Sequence, residues 1–509
     1  MTTMDTPSLE SSSRVALVKR RREAEAPQAS GGRTYTARQR AERLVDTGTF
    51  RPMSPMRRAK ESDPSRAAKL RDGDGVVVGW GKIEGRKVMV VSHDFSVSGG
   101  AIGAVFAERI MSGQRLAIEH RMPIVYINDS GGARIHEGID SLHGCGGIFA
   151  LNVKASKVVP QLSLIVGPCA GAAAYSPALT DWTIMVKGRG QMFLTGPEIV
   201  KAATGEIVDP EDIGGSELHT RRSGVAHLEV ASEDEALDRA RQILILTSGA
   251  PAGPGQVDPT AAARLPDVVP SVASRPFDMN DVLDGILDEG PRLEVMPERG
   301  TSIITAFARF EGRPVGVVAN QPRRIGGILE SASSTKAARF VDYCGRFGLP
   351  ILTFVDVPGF LPGSVEERKG IITQGASLLR AYVDAESPKL TVVVRKAYGG
   401  AYIAMGSASL GADVTWAWDG AEIAVMGPGG AVGLLNRREL AAANDPVQLR
   451  QQLAQEYRVQ VTRPHVAAEA GVIDEVILPE ETRDRIGAAL DLVAPDGQGT
   501  ARKHDERKL

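Results

Sequence analysis

The chain repeats itself. Glu84-Gly85-Arg86 recurs 227 residues on as Glu311-Gly312-Arg313, and the same offset carries Val88, Val90 and Val91 onto Val315, Val317 and Val318. Gly99-Gly100 falls on Gly326-Gly327, Pro123-Ile124 on Pro350-Ile351, Asp129 on Asp356 and Gly132 on Gly359, so that 12 of 49 positions match without a gap. One residue further in offset, Leu162–Val166 pairs with Leu390–Val394 and Gly171 with Gly399. Spacing retained together with the glycines implies two copies of one fold. That agrees with the prior of about two to four domains for a chain of this length.

Each copy has one rhythm. Two strands come first, Val76–Trp80 and Val88–Val91 in one half, Ile303–Phe307 and Val315–Val318 in the other. A Gly-Gly turn and a long amphipathic helix follow, Ala104–Glu119 and Ser334–Phe347. Next is a short apolar strand after proline, Ile124–Ile127 and Ile351–Val355. A glycine-containing loop, a second helix and another apolar strand, Leu162–Val166 and Leu390–Val394, close the unit. Short unbroken apolar runs between helices predict buried strands joined by crossovers, an α/β class. In both halves the last strand runs into a Gly/Ala-rich segment that starts a helix.

Composition sets the boundaries. Residues 1–32 are Ser-, Glu- and Arg-rich, carry a basic cluster at Lys19–Arg22, and are expected to be a disordered tail. The first domain spans 33–255, with Thr36 the expected N-cap of its opening helix. A proline-rich stretch predicts a linker at 256–275. The second domain spans 276–495, and 496–509 form a polar tail.

Several classes are excluded. The net charge is −2, so nothing global points to a nucleic-acid partner. No uncharged run of about 18 apolar residues occurs, which predicts no membrane span, and the N-terminus lacks an apolar signal core. The 3 cysteines, Cys145, Cys169 and Cys344, lie too far apart for a CxxC pair and suit a reducing, cytoplasmic setting. The histidines are scattered, and no HExxH, Walker or Gly-x-Ser-x-Gly motif is present, so no metal is expected.

What recurs instead is glycine at strand ends. Glycine lets backbone N–H groups approach a ligand closely. At a strand-to-helix junction those groups lack partners and point along the positive end of the helix dipole, as in an oxyanion hole. Two such junctions stand out, Gly167–Ala178 and Arg395–Tyr402. Tight helix–strand packing would also select small residues there, but duplicated junctions suit a reaction that develops two oxyanions.

The runs INDSGGARIHEG (127–138), GPCAGAAAYSPA (167–178), FLTGPEIVKAATGE (193–206), TFVDVPGFLPG (353–363), RKAYGGAY (395–402) and AEIAVMG (421–427) resemble the β, or carboxyltransferase, subunit of biotin-dependent acyl-CoA carboxylases. The resemblance covers roughly residues 33 to 490. It implies two tandem crotonase-like (ClpP-type) domains of repeated β-β-α units, a hexamer, and a site shared between the N-domain of one subunit and the C-domain of its neighbour. It implies carboxyl transfer from carboxybiotin to the α-carbon of a short acyl-CoA. Carried over from the family motifs, the amides of Gly171 and Ala172 would hold the thioester oxygen and those of Gly400 and Ala401 the ureido oxygen. Gly99, Gly100, Gly131, Gly132, Ala133 and Arg134 look like the loops lining the acyl-CoA channel. Arg134 meets either a CoA phosphate or an internal partner. Ile403 stands where family members differ in acyl choice, and its aliphatic side chain resembles members that accept acetyl-CoA or a wider range, which implies broader or altered acyl selectivity; the alternative is that it is simply packed at a helix start. No Met-Lys-Met biotinylation motif occurs, so a separate biotin carboxylase and biotin carrier α subunit is the implied partner.

The sequence also departs from the family. Ala172 replaces a usual glycine, Lys369-Gly370-Ile371-Ile372-Thr373-Gln374 replaces a usual Gly-Gly-Ile-Ile-Arg-His, His136 stands for Gln, and Pro428-Gly429-Gly430 for Ala-Lys-Gly. These changes leave three other readings: a biotin-dependent acyl-CoA decarboxylase component, a biotin-independent crotonase-type enzyme, and a catalytically silent scaffold subunit.

Overall fold

The first sheet holds β1 (Arg51–Pro52), β2 (Val76–Ile83), β3 (Arg86–His93), β4 (Ile124–Ser130), β5 (Gln161–Ala170), β6 (Trp182–Val186), β7 (Gln191–Phe193) and β8 (Leu228–Val230). Their spatial order is β1-β2-β3-β4-β5-β6-β8, with β7 beside β5. The second holds β9 (Leu293–Glu294), β10 (Ile303–Phe310), β11 (Arg313–Asn320), β12 (Ile351–Val357), β13 (Lys389–Tyr398), β14 (Val414–Trp418), β15 (Glu422–Ala424) and β16 (Glu475–Ile477). Its order, β9-β10-β11-β12-β13-β14-β16 with β15 beside β13, is the same. This computed structural model describes residues 15–19, 33–59, 71–247, 253, 255–272 and 274–494. The chain divides into two units, Met1–Ile245 and Leu246–Leu509.

Local chemistry explains the duplication. Glu84 and Gly85 both take positive φ, +46° and +76°, as do Glu311 and Gly312 at +50° and +76°. Positive φ at both central residues is the type I′ geometry that joins two twisted antiparallel strands, here β2 to β3 and β10 to β11. An aspartate clamps each turn: Asp46 accepts the N–H groups of Glu84 and Gly85, and Asp288 those of Glu311 and Gly312. Each clamp is in turn held by an arginine, Arg241 and Arg483.

From β3 onward in the first sheet and from β11 onward in the second the pairing is parallel, through the crossovers Ala104–Glu119 and Ile139–Ala155 in the first unit and Ser331–Phe347 and Ile371–Asp384 in the second. Every residue of β4 and of β12 is buried, as expected for strands covered on both faces. The first core packs Met89, Ile124 and Tyr126 against Phe106, Ile110 and Ile148. The second packs Phe354, Val392 and Trp416 against Val282, Leu283, Ile486 and Leu490. The register of β4 on β5 shifts between Asn128 and Ser130, and that of β12 on β13 between Val355 and Val357, an irregularity at equivalent places.

Thr36 caps Ala37–Leu44 in a reciprocal capping box with Gln39. The segment expected to be a linker differs: Pro259–Val268 is a helix, because Asp258 accepts the N–H of Thr260, proline sits in its first turn and Leu265 is buried in the second core. Within the expected N-terminal tail, 15–19 are helical; the rest of that tail and 496–509 lie outside the described residues. Among the described residues no helix is long and apolar enough to cross a membrane.

Candidate functional site

At the end of β5 the chain turns into a short helical segment, Gly171–Ala174, and at the end of β13 into Gly399–Ala404. Gly171 and Gly399 both sit in the left-handed region, φ +56° and +61°, where an L side chain is strained. The N-caps are Ala170 and Tyr398, and neither makes a side-chain capping bond. The first-turn amides thus have no side chain to satisfy them at the cap. The matching φ values place Gly171 against Gly399 and Ala172 against Gly400. The Gly400–Ala401 pair carried over from the family is therefore one residue out of register with Gly171–Ala172, and Gly400 belongs to either version. A Cβ at Gly400 would meet nothing within 4 Å.

Beneath each junction lies a fully buried carboxylate, Asp129 on β4 and Asp356 on β12. Their charges are met differently. Asp129 is paired with Arg33 at 2.9 Å and Arg40 at 3.3 Å, the second from the opening helix. A Cβ at Gly167 would stand 2.1 Å from Asp129 Oδ1, so the adjacent strand can place no side chain there. The repeat-equivalent residue on β13 is Arg395, which itself donates to Asp356 at 2.8 Å, while the backbone N–H of Lys396 donates to Oδ1 at 2.9 Å.

The glycine loops of the first unit meet its junction. Gly99 and Gly100 have φ of +64°, and a Cβ at Gly100 would stand 2.2 Å from the Asp129 carbonyl oxygen. Gly131 N–H donates to Gly99 O, Ile102 N–H to Gly132 O, and Ile102 forms a bridge with Ala133. A Cβ at Gly132 would stand 2.8 Å from Ala170 O, which ties this loop to the strand end. Arg134 is buried, paired with Asp74 at 3.1 Å and Glu137 at 2.7 Å, and donates to Ala101 O. Of its two readings the internal ion pair is the one observed, and a CoA phosphate contact is set aside. Burial pushes the Cys169 thiol well above its ordinary range, and its Sγ faces Ala173 O at 3.0 Å, so it is no nucleophile.

The second junction opens on a cleft of about 620 Å³ lined by Gly399, Gly400, Ala401, the Pro358–Phe360 loop and Val425–Gly430. Its charged lining residues are Lys396, Glu422 and Arg458. Glu422 pairs with Arg458 at 2.8 Å and accepts the Tyr398 hydroxyl. Sequence reasoning gave none of these three a role. Lys396 lies within a quoted motif, and the available signal was that its repeat-equivalent is Pro168. Ile403 is 42% exposed, so it is not a packed core residue, and its equivalent Tyr175 is exposed as well. Of the departures, Gln374 accepts from Thr335 at 2.8 Å, Lys369 pairs with Glu366, and Thr373 and His136 are exposed.

Residues 27–506 match the carboxyl transferase domain family. The chain is 48% identical over 461 residues to the propionyl-CoA carboxylase carboxyltransferase subunit of Haloferax mediterranei, covering 89% of each. It is 44% identical over 474 residues to the methylmalonyl-CoA decarboxylase subunit alpha of Veillonella parvula, covering 92% of each. Among solved structures it resembles the hexameric transcarboxylase 12S core with methylmalonyl-CoA bound, at TM-score 0.90 and 40% identity over 100% of this chain and 99% of that one. The chain belongs to the carboxyl transferase family: it is a carboxyltransferase subunit of the biotin-dependent acyl-CoA carboxylase type, has two tandem crotonase-like domains, and transfers a carboxyl group to an acyl-CoA.

Proposed function

We propose that the two strand-to-helix junctions are the two oxyanion sites of this transfer, with main-chain amides as the catalytic groups. The observation that carries the reading is the matched pair of left-handed glycines, Gly171 and Gly399, each opening an uncapped turn above a buried aspartate. Carboxybiotin, brought by a separate biotin carboxylase and carrier subunit, supplies the carboxyl group and a ureido nitrogen able to take the acyl-CoA α-proton. The second cleft fits such a ring, being open over Gly400 and carrying two cations against one carboxylate among its charged lining residues.

The amides of Gly171 and Ala172 hold the thioester oxygen as negative charge develops there, and those of Gly400 and Ala401 hold the ureido oxygen. Loss of one such donor typically costs about 100–1,000-fold in rate. Gly99, Gly100, Gly131, Gly132 and Ala133 shape the acyl-CoA approach. The Ala172 methyl narrows the first site without removing its N–H. The acyl group is short, of propionyl size, with Ile403 at the edge of the selecting surface. The active form is a cytosolic homo-hexamer.

The test is to incubate the chain with methylmalonyl-CoA or malonyl-CoA and free biotin, and to follow carboxylated biotin by mass spectrometry. The reading expects transfer from one or both, and an acyl-CoA ladder from acetyl to octanoyl then sets the preference. No transfer from any acyl-CoA would refute it. The similarity to a decarboxylase subunit supports a second reading, the same chemistry run toward decarboxylation; net direction with a biotinylated partner separates the two.

A further inference from the structure

The two buried aspartates beneath the junctions draw their counter-charges from different places. Asp356 takes Arg395 from the neighbouring strand. The equivalent position beside Asp129 is Gly167, where a Cβ would stand 2.1 Å from Oδ1, so the cation has to come from elsewhere. It comes from the start of the first unit. Arg33 donates to Asp129 through two atoms, Nε to Oδ2 at 2.9 Å and Nη2 to Oδ1 at 3.0 Å. Arg40 adds Nη1 and Nη2, both 3.3 Å from Oδ2, and its Nε donates to the buried Glu233 at 3.0 Å. The Arg33 guanidinium also lies over the Phe95 ring, 4.1 Å from its centre. Phe95 belongs to the loop that carries Gly99 and Gly100, and a Cβ placed at Gly99 would meet Phe95 Cζ at 4.0 Å. Asp129 meets the same loop from below. A Cβ at Gly100 would stand 2.2 Å from the Asp129 carbonyl oxygen, and Gly131, two residues on, donates its N–H to Gly99 O at 2.9 Å.

One guanidinium therefore holds the strand end with one face of its chemistry and the glycine loop with the other. A two-point arginine–carboxylate bond fixes orientation as well as charge, and an aromatic face attracts a cation laid over it. We infer that Arg33 is a positioning residue for the acyl-CoA side of the reaction. Through Asp129 and Phe95 it sets the Gly99–Gly100 loop against the Gly131–Gly132 loop, and so shapes the approach to the first junction. The inference rests on the carboxyl-transfer reading, in which those loops receive the acyl-CoA, and adds the residue that fixes them. Arg33 and Arg40 have separable tasks. Without Arg33, Asp129 keeps Arg40, so its buried charge stays paired and the unit is expected to fold. The second junction has no such dependence, because the cation paired with Asp356 and laid over Phe277 at 4.7 Å is Arg395 of β13 itself.

Hydrogen exchange and kinetics on the full chain separate positioning from mere support. The amides of Gly100, Ile102 and Gly131 donate to the carbonyls of Val97, Gly132 and Gly99, and should be protected in the wild type. Arg33→Met should speed exchange across 97–103 and 131–134 by about 10-fold, while β2 and β6 keep wild-type rates. Phe95→Leu, which leaves the Arg33–Asp129 pair in place, should loosen the same segments. Arg33→Lys, which keeps the charge but loses the two-point bond, should fall between the wild type and Arg33→Met. In transfer from methylmalonyl-CoA to free biotin, Arg33→Met should lower kcat/KM for the acyl-CoA by about 10–100-fold, the scale of a misplacement of about 1 Å. KM for biotin should stay at its wild-type value. Wild-type exchange in the two loops of Arg33→Met, acceleration spread evenly over the first unit, or an unchanged kcat/KM for the acyl-CoA overturns the inference, while transfer by the wild type leaves the functional reading standing. Absence of transfer by the wild type overturns both.

Discussion

Arg395 and Asp356 form a buried ion pair between neighbouring strands of one sheet, 2.8 Å apart, directly below the second junction. Removing Arg395 leaves the buried Asp356 charge facing only Lys396, whose Nζ stands 3.7 Å away and whose backbone N–H donates to Oδ1, and the loss of one partner from a buried pair costs at most about 3–5 kcal/mol. Arg395→Met should therefore destabilise the second unit by up to that amount, measured by urea unfolding. Asp356→Asn with Arg395→Met should recover part of it. Equal stability of Arg395→Met and wild type would contradict the role given to the pair.

Much of the fold is legible because its most constrained positions recur. Turns that need positive φ keep Glu-Gly at both hairpins, and the close approaches at Gly100 and Gly327 leave no room for a Cβ. Other devices are invisible to the same comparison. The clamps Asp46 and Asp288 do the same work yet stand off the 227-residue register, because the segments before the hairpins differ in length. The counter-ions of Asp129 come from Arg33 and Arg40, far away in sequence, and those of Asp356 from its neighbour strand. Arg134 shows the limit of motif reading: the type and place suit a phosphate, but burial beside Asp74 and Glu137 commits it internally. Pro259–Val268 is helical despite its prolines because one stands in the first turn, where no N–H is needed.

Gly171 and Gly400 should answer alanine substitution differently. Gly171 has φ +56° with its nearest contact at 3.8 Å, so Gly171→Ala pays backbone strain of about 1–2 kcal/mol without a clash. Gly400→Ala meets nothing within 4 Å and needs no unusual φ, so its melting temperature should match the wild type. A drop of several degrees in Gly400→Ala would show that its face is not open.

Ile403 is 42% exposed on the helix Gly399–Ala404. Exposed substitutions usually shift stability by no more than about 0.5 kcal/mol, so Ile403→Asp should fold normally. It should change the ratio of kcat/KM between propionyl-CoA and longer acyl-CoAs by about 10-fold, the scale of discrimination that an apolar contact supplies. An unchanged ratio across the acyl series would remove Ile403 from the selecting surface.

The amides of the second junction bear most directly on the whole account, and Gly400→Val tests them. The Cβ of a side chain there meets nothing within 4 Å, and the branched methyl groups beyond it block the approach of a ligand oxygen to the main-chain donors. Carboxyl transfer from methylmalonyl-CoA to biotin should fall by about 100-fold or more, the scale of a lost oxyanion donor, while the calorimetric Kd for acyl-CoA and the unfolding midpoint stay at wild-type values. Full transfer activity in a correctly folded Gly400→Val chain would contradict the account.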